Sequence, residues 1–338
     1  MHPILPAALA ACVLATPVFA QHLLVPDKGA GRLMLFDASN GRVVDPDSIV
    51  PPSGTLAGPV EAIQVGDEVW VSQPGQDIIR RFSMNGDVIA TLQGPFAVPL
   101  DRPTGMATDG STILVTNFFI AKHTSASWIT RLSTSGANLG TFDAFSDAAM
   151  TDVLFKGGVF YVALQSDQTI ERVTSTGVHQ GIFGRLDQDG VFTVPAQIAP
   201  AADGGLLVAC NRGIVHLDAG GALVERLLPD RSIVGVAALD DGRILFTDSF
   251  GVYRLEPGGG VVTLMAGPNS GYVSPITGAN ACAADFAIPI GSVDFSDVTA
   301  FLGAFAAQDP NADLAAPFMQ YDFSDVVEFL TLFAQGCP

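Results

Sequence analysis

The feature that most constrains this sequence is a repeat with a period of roughly forty residues over positions 22–268. Each copy holds a short apolar strand, a polar turn and a second short strand, and further strands with Gly or Asp turns flank most copies. Four short strands per unit are typical of a β-propeller blade. Because the Val, Ile and Leu runs end at Gly, Asp or Asn, the period does not indicate a helical solenoid. Six copies carry the pattern, with strands at His22, Glu68, Thr112, Val159, Gly205 and Arg243.

The sequence therefore predicts a mainly β fold, a six-bladed β-propeller over residues 22–268. The first copy lacks its innermost strand, and a propeller ring is commonly closed by chain from the other terminus. We expect the segment from Asn269 to Thr277 to supply that strand, within a closing strand and linker over residues 269–281.

The blade pattern resembles that of NHL-type and gluconolactonase-like six-bladed propellers. Blades of those families read as a Gly-Ile-Ala strand, a Leu-Tyr-Val-Ala-Asp strand and an Arg-Ile strand. Comparable segments here are PTGMATDG from Pro103, VGVAALDDG from Val234 and RILFTDSFGVYRLE from Arg243. The resemblance covers roughly residues 22–268 and implies the fold more than the function, because blade motifs mostly serve the fold.

Gluconolactonase-like propellers hold a divalent cation with a Glu, an Asn and an Asp near the starts of innermost strands. The residues at that level here are not strong metal ligands: Val60, Thr104, Thr151, Ala196 and Val234. The next position along holds Glu61, Asp152 and Gln197, which predict an oxygen-rich ring at the tunnel mouth suited to a cation or a sugar hydroxyl. The alternative is that these polar residues satisfy loop backbone groups or face solvent.

The sequence contains no HExxH, GxSxG or Walker motif, and its histidines are scattered without a paired spacing. Cys210 follows an apolar strand, where a free cysteine is expected to be a buried structural residue. Sixteen basic and thirty-four acidic residues give a net charge of -18, which disfavours nucleic acid and anionic membranes as partners. The ligand of the propeller is not identifiable from the sequence.

The first twenty residues form an apolar stretch that ends on Val18-Phe19-Ala20, with small residues where signal peptidase reads. We expect cleavage after Ala20 and export to the cell surface or the medium. Two alternatives are a membrane anchor, although three prolines interrupt the stretch, and a lipoprotein cleaved before Cys12. No other segment has the character of a transmembrane span.

The C-terminal region contains two copies of one unit, beginning at Asp285 and Asp313, an offset of 313 minus 285, or 28 residues. Apolar residues recur at i, i+3, i+4 and i+7 in each copy, which predicts one amphipathic helix per copy. One such helix cannot bury its apolar stripe alone, so we expect the two to pack face to face. The residues of the two stripes are Val298, Phe301, Leu302 and Phe305, then Val326, Phe329, Leu330 and Phe333.

Two cysteines flank this region, Cys282 before the first copy and Cys337 at the end of the second. Pseudo-twofold packing of the copies would bring the ends of the unit together, and an exported protein can keep a disulfide. A Cys282–Cys337 disulfide would then join the two ends of the module, whose small size commonly requires a disulfide for stability.

The paired loop-helix units, each with Asp-Phe-Ser-Asp-Val and together ending in Gly-Cys-Pro, resemble the dockerin family in its Gly-Cys-terminated form. The resemblance covers residues 282–338 and implies a small all-α module that attaches the chain to a partner protein or surface. Family loops bind calcium through oxygen ligands at five positions around a glycine. This chain keeps three acidic positions per loop: Asp285, Asp294 and Asp297, then Asp313, Asp322 and Asp325.

The other calcium positions are lost, because alanine and proline replace them and each loop is one residue longer. Two interpretations of the aspartates stay open. In one they hold calcium weakly; in the other they cap the helices, since an Asp N-cap with an Asp three residues on stabilises a helix start without an ion.

Three functions are consistent with these features. The first is an exported noncatalytic binding protein, tethered by residues 282–338, whose propeller presents a recognition face. The second is a tethered metal-dependent hydrolase, lactonase-like, or a lyase, with its metal at Glu61 and Asp152. The third is a purely structural component of the cell envelope.

Overall fold

The structure is a computed structural model of the 338-residue chain. It describes residues 22–52, 55–84, 86–93, 100–118, 128–142, 145, 149–276, 286, 294–308, 312, 314–315 and 320–335. Within these ranges the chain forms six four-stranded antiparallel sheets and two short helices. The mainly β prediction and the count of six blades are confirmed.

Each blade runs from an innermost strand at the axis to an outermost strand at the rim. Blade 1 contains β1 (His22–Asp27), β2 (Arg32–Asp37) and β3 (Val43–Ile49). Blade 2 contains β4 (Ala62–Val65), β5 (Glu68–Gln73), β6 (Ile78–Ser83) and β7 (Val88–Gln93), with a 3-10 turn at Pro74–Gln76. Blade 3 contains β8 (Pro103–Thr108), β9 (Thr112–Asn117), β10 (Ile129–Ser133) and β11 (Asn138–Phe142).

The remaining blades repeat this order. Blade 4 contains β12 (Met150–Lys156), β13 (Val159–Leu164), β14 (Thr169–Val173) and β15 (His179–Arg185). Blade 5 contains β16 (Pro195–Pro200), β17 (Leu206–Cys210), β18 (Gly213–Leu217) and β19 (Leu223–Leu227). Blade 6 contains β20 (Gly235–Ala238), β21 (Ile244–Asp248), β22 (Gly251–Leu255) and β23 (Val261–Ala266).

Blade 1 takes its innermost strand from the end of the propeller sequence. Strand β24 (Ser274–Ile276) pairs antiparallel with β1, with Ile276 opposite His22 and Ser274 opposite Leu24. It lies within the segment that the sequence analysis put forward for this purpose. The ring is therefore closed by pairing between the two ends of the repeat region, which removes the open edge that an incomplete first blade would leave.

The hydrophobic core is divided among the blades. The described residues form one apolar cluster between each pair of neighbouring blades, including the pair formed by blades 6 and 1. The second strands of the blades, such as β9 and β17, are buried on both faces, which is why their sequences are nearly continuous apolar runs, while an outermost strand such as β23 alternates between exposed and partly buried residues. Each blade is thus stabilised mainly by its two neighbours.

The C-terminal region forms helices α1 (Phe295–Ala306) and α2 (Phe323–Gln335). Their phenylalanine stripes pack together, as the sequence pattern predicted. Leu302 and Leu330, which the same pattern assigned to the packed stripes, are instead 48 % and 49 % exposed, so that part of the prediction is wrong. Phe301 and Phe329, 28 positions apart, stack with ring centroids 4.1 Å apart and planes inclined by 3°. Equivalent residues therefore meet at the centre of the contact, the arrangement expected of two copies of one unit.

Several predictions fall outside the described residues: the leader of residues 1–20, Asp285, Asp313, and the Cys282–Cys337 disulfide. Neither α1 nor α2 is long and apolar enough to cross a membrane, and no other described helix is.

The close packing of innermost strands at the axis leads to a first prediction. Gly105→Ala should destabilise the propeller by about 1–3 kcal/mol, because overpacking costs that much in a tight core. The added Cβ would overlap the Asp152 Cα and Oδ1 and lie 2.9 Å from the Val153 nitrogen. Urea denaturation measures the loss.

Gly75→Ala is the matched control, because nothing lies within 4 Å of the Cβ that it adds. Equal stability of both variants would show that blades 3 and 4 are not packed this closely.

Candidate functional site

The three polar residues selected from the sequence lie at the axis, but they are buried. Glu61 directly precedes β4, Asp152 lies in β12 and Gln197 lies in β16. Their exposed fractions are 4 %, 1 % and 3 %. They do not line an open mouth, so whatever they bind must already lie inside the ring.

Each of the three side chains accepts a hydrogen bond from the innermost strand of the following blade. Glu61 of blade 2 accepts one from the Met106 N–H of blade 3. Asp152 of blade 4 accepts from the Ile198 N–H of blade 5 at 2.7 Å. Gln197 of blade 5 accepts from the Val236 N–H of blade 6 at 2.9 Å. Since innermost strands have no sheet partner on the axis side, these side chains satisfy N–H groups that would otherwise be buried without a partner.

The same side chains also hold the closing segment, defined here as residues 271–274, directly before and into β24. Gln197 Oε1 accepts from the Val273 N–H at 2.9 Å, and its Nε2 donates to the Val273 carbonyl at 2.6 Å. Ser274 Oγ donates to Glu61 Oε1 at 3.2 Å. Side chains of blades 2 and 5 thus form hydrogen bonds with the closing segment, which completes blade 1.

Tyr272 of the closing segment reaches across the axis. Its N–H donates to the Val60 carbonyl of blade 2 at 2.8 Å. Its hydroxyl donates to the Thr151 carbonyl of blade 4, the opposite blade, at 3.2 Å. The side chain is 5 % exposed, so a buried aromatic ring spans the ring of blades at the level of Glu61 and Asp152.

The electrostatics of this cluster favour its neutral forms. Burial raises the pKa of Asp152 to about 8. Burial and repulsion from Asp152 raise the pKa of Glu61 well above its ordinary value, although hydrogen bonds from Met106 and Ser274 oppose the shift. Burial, with both carboxyls nearby, raises the pKa of the Tyr272 phenol. At pH 7 the Asp152 carboxyl is therefore held mainly protonated.

Two oxygen atoms of the cluster have no hydrogen-bond partner among the described residues, Asp152 Oδ1 and Thr151 Oγ1. Oxygen atoms of this kind are the ligands that calcium or magnesium takes. The described part of the chain holds no group of three or more His, Cys, Asp or Glu residues arranged to bind a metal ion. The cluster offers two carboxyls, an amide and a phenol, a set suited to proton exchange or to a weakly held cation.

Three hydroxyl residues that the repeat pattern did not single out complete the axis. Ser72, Thr116 and Thr247 occupy equivalent positions in the second strands of blades 2, 3 and 6, and all are fully buried. Thr247 Oγ1 donates to the Gly271 carbonyl at 2.7 Å, and Ser72 Oγ donates to the Thr104 carbonyl at 2.7 Å. A hydroxyl that follows an apolar run at the same repeat position is the signal that would have found them.

The histidines that the structure describes do not form a common site. His179 binds Glu171 at 2.5 Å in blade 4, and His216 lies 3.0 Å from Asp203 in blade 5. Cys210 is buried, its S–H donates to the Val208 carbonyl at 3.3 Å, and burial raises the pKa of its thiol. The prediction that Cys210 is a buried residue is confirmed.

The aspartates of the C-terminal helices cap them. The Asp294 side chain accepts from the Ser296 N–H, and Asp297 accepts from the Asp294 N–H, a complete capping box. Asp297 also accepts from the Phe286 N–H at 2.6 Å. These hydrogen bonds agree with the capping interpretation. Hydrogen bonds from the Ser296 hydroxyl and N–H lower the pKa of Asp294.

The second copy repeats the arrangement. Asp322 Oδ1 accepts from the Ser324 N–H, and Asp325 accepts from the N–H groups of Asp322, Leu314 and Ala315. Both Asp297 and Asp325 are fully buried. Each therefore ties its loop to its helix through backbone N–H groups, a role that needs no ion.

No protein-family model matches this chain, and no curated protein matches it. Solved structures do. A protein of unknown function from Bacteroides caccae has a TM-score of 0.54 and 15 % identity, covering 77 % of this chain and 100 % of its own. A chain of a nidogen/laminin complex has a TM-score of 0.58 and 15 % identity, covering 75 % and 97 %. A streptogramin B lyase has a TM-score of 0.51 and 16 % identity, covering 80 % and 87 %.

These similarities place the chain in the class of six-bladed β-propellers. At 15–16 % identity they show the fold alone. The class includes an enzyme and a chain from a protein complex, so fold does not select between catalysis and binding.

The buried carboxyls predict an unusual dependence of stability on pH. Asp152 has a folded pKa of about 8 against an unfolded value of about 3.9. Its contribution is fully present below about pH 4 and is lost as the pH rises through about 8. Across that interval, ionisation of Asp152 should lower the free energy of unfolding by up to about 1.4 kcal/mol per pH unit.

Asp152→Asn should flatten the decline in melting temperature measured from about pH 5 to about pH 9. Asp167→Asn, at an exposed position of the same blade, should keep it. A variant curve parallel to that of the wild type would show that Asp152 is ionised in the folded protein.

Proposed function

We propose that this chain is an exported, noncatalytic binding protein whose C-terminal helices attach it to a partner protein or surface while the propeller presents a recognition face. The propeller axis supports the noncatalytic part of the proposal. Glu61 and Gln197, which the sequence suggested as ligands, engage backbone and hydroxyl groups of other blades with their polar atoms. Their chemistry is explained by ring closure, without a substrate.

The observation that carries the attachment proposal is a set of exposed apolar side chains that follows the 28-residue offset. Phe295 and Phe323 are 76 % and 75 % exposed, and Leu302 and Leu330 are 48 % and 49 % exposed. Large apolar side chains that cluster on a surface commonly mark an interaction site. Both members of each pair are exposed, so the two helices present the same chemistry twice.

The charge of the C-terminal region indicates which kind of partner surface it would bind. From position 269 onward the chain has seven aspartates, one glutamate and no basic residue. A partner surface with apolar pockets for the two phenylalanines and basic residues around them would complement it. This is the attachment role that the dockerin resemblance implies, with export as the accompanying proposal for residues 1–20.

The attachment proposal predicts the behaviour of a double variant. Phe295→Ser with Phe323→Ser should weaken retention on the cell envelope by roughly tenfold or more, since exposed aromatic anchors carry much of an interface's free energy. Cell fractionation of the producing organism, with the protein quantified in envelope and medium, measures it. Melting temperature should be unchanged, because neither side chain is packed.

Val88→Ser with Ile89→Ser is the matched control, since these residues are also exposed but lie on the propeller rim in β7. Equal retention of both double variants and the wild type would refute attachment through the helices.

A metal-dependent hydrolase or lyase is the second candidate. The observation in its favour is that Asp152 Oδ1 and Thr151 Oγ1 lie buried at the axis without hydrogen-bond partners. A cation bound there would satisfy both and neutralise the adjacent carboxyls.

Metal analysis of the purified full chain by mass spectrometry separates the candidates. The binding-protein proposal predicts no stoichiometric divalent ion at the propeller axis. An ion present in the wild type and lost in Glu61→Ala would support the enzyme. An ion lost only in Asp325→Ala would assign calcium to the C-terminal loops instead.

A further inference from the structure

We propose that the C-terminal helical pair docks on blade 1 of the propeller at the turn between β2 and β3, through Phe286 packed on the guanidinium of Arg42, and so holds a fixed orientation relative to the blades. The Arg42 Cζ lies 4.4 Å from the centroid of the Phe286 ring. A guanidinium over an aromatic face at this distance is a favourable cation–π contact, stronger where water is excluded.

Arg42 belongs to a surface turn, yet it is covered. It follows β2 in the turn that leads to β3, a position that normally faces solvent in a propeller. Its exposed fraction is 2 %. An arginine in a turn becomes this buried when another part of the chain lies over it, and the Phe286 ring lies over its guanidinium.

The turn itself is rigid. The Arg42 carbonyl accepts from the Asp37 N–H at 2.8 Å, and the Arg42 N–H donates to Asn40 Oδ1 at 2.8 Å. Arg254 of blade 6 donates to the Asn40 carbonyl at 3.0 Å. The N–H of Asp240 in blade 6 donates to the Ala38 carbonyl at 3.1 Å. Arg42 therefore projects from a platform that blades 1 and 6 share.

Phe286 is held to the helical pair by a hydrogen bond and by ring contacts. Its N–H donates to the buried Asp297 carboxylate at 2.6 Å. Its ring contacts the rings of Phe301 and Phe329 edge to face, with centroids 5.3 Å and 5.7 Å away. One side chain thus lies between the core of the helices and the propeller, and motion of one unit relative to the other would break a contact.

The path of the chain agrees with this placement. Strand β24 ends at Ile276, which pairs with His22, and His22 also pairs with Asp37 at the end of β2. The chain therefore leaves the ring beside the Arg42 turn. Phe286 follows Ile276 by ten residues, which span at most about 35 Å when fully extended.

Nitrogen-15 relaxation of the mature full-length protein tests the inference. In the wild type, amides of α1 and α2 should show the same rotational correlation time as propeller amides. In Arg42→Ala the amides of α1 and α2 should show a rotational correlation time several-fold shorter than that of the propeller amides, while the propeller spectrum is preserved. Arg212→Ala, at an exposed position on blade 5, is the control and should leave both units coupled.

Because Arg42 is buried, its loss could also disturb the blade, so Phe286→Leu is the second variant. Leucine keeps an apolar side chain against Phe301 and Phe329 but removes the aromatic face that Arg42 contacts. Faster helix tumbling in both variants supports docking through this contact. Independent tumbling of the helices in the wild type, or unchanged coupling in both variants, overturns it.

Discussion

The propeller depends on the four residues of the closing segment, because hydrogen bonds from this one stretch reach five of the six blades. Gly271 contacts blades 1 and 6, Tyr272 blades 2 and 4, Val273 blade 5, and Ser274 blade 2. Five blades therefore meet one short stretch of chain. In a repeat protein, each unit contacts mainly its two neighbours. The closing segment both completes the ring and links blades that are not neighbours.

This bracing explains why ionisable groups are buried at the axis. Innermost strands leave backbone N–H groups pointing at the centre, where there is no further strand to accept from them. Carboxyl and amide oxygens of blades 2, 4 and 5 accept hydrogen bonds from such N–H groups in blades 3, 5 and 6. The cost is that Glu61 and Asp152 are buried with no basic partner bonded to either among the described residues. Burial raises the pKa of Asp152, and burial together with repulsion from Asp152 raises the pKa of Glu61. The site is best understood as part of the ring's architecture.

The repeat made the propeller predictable, since period, strand length and turn residues all point to one fold. The register of the repeats also selected Glu61, Asp152 and Gln197, and the structure places all three at the axis. Their partners were not predictable, because Met106, Ile198 and Val273 are distant in sequence and approach only in the closed ring. Tyr272 was missed for the same reason, as it lies between recognisable strands and acts across the axis.

By itself the sequence determined the local elements: short β-strands from apolar runs bounded by turns, and two helices from a stripe at spacings of three and four. It also suggested the capping of α1 by Asp294 and Asp297, beside weak calcium binding, because a capping box involves neighbours along the chain. Only the tertiary structure decided how these elements contact one another. Whether a buried carboxyl meets a backbone N–H, a metal or water, and whether Arg42 meets Phe286, depends on distances between residues that only the folded chain brings together.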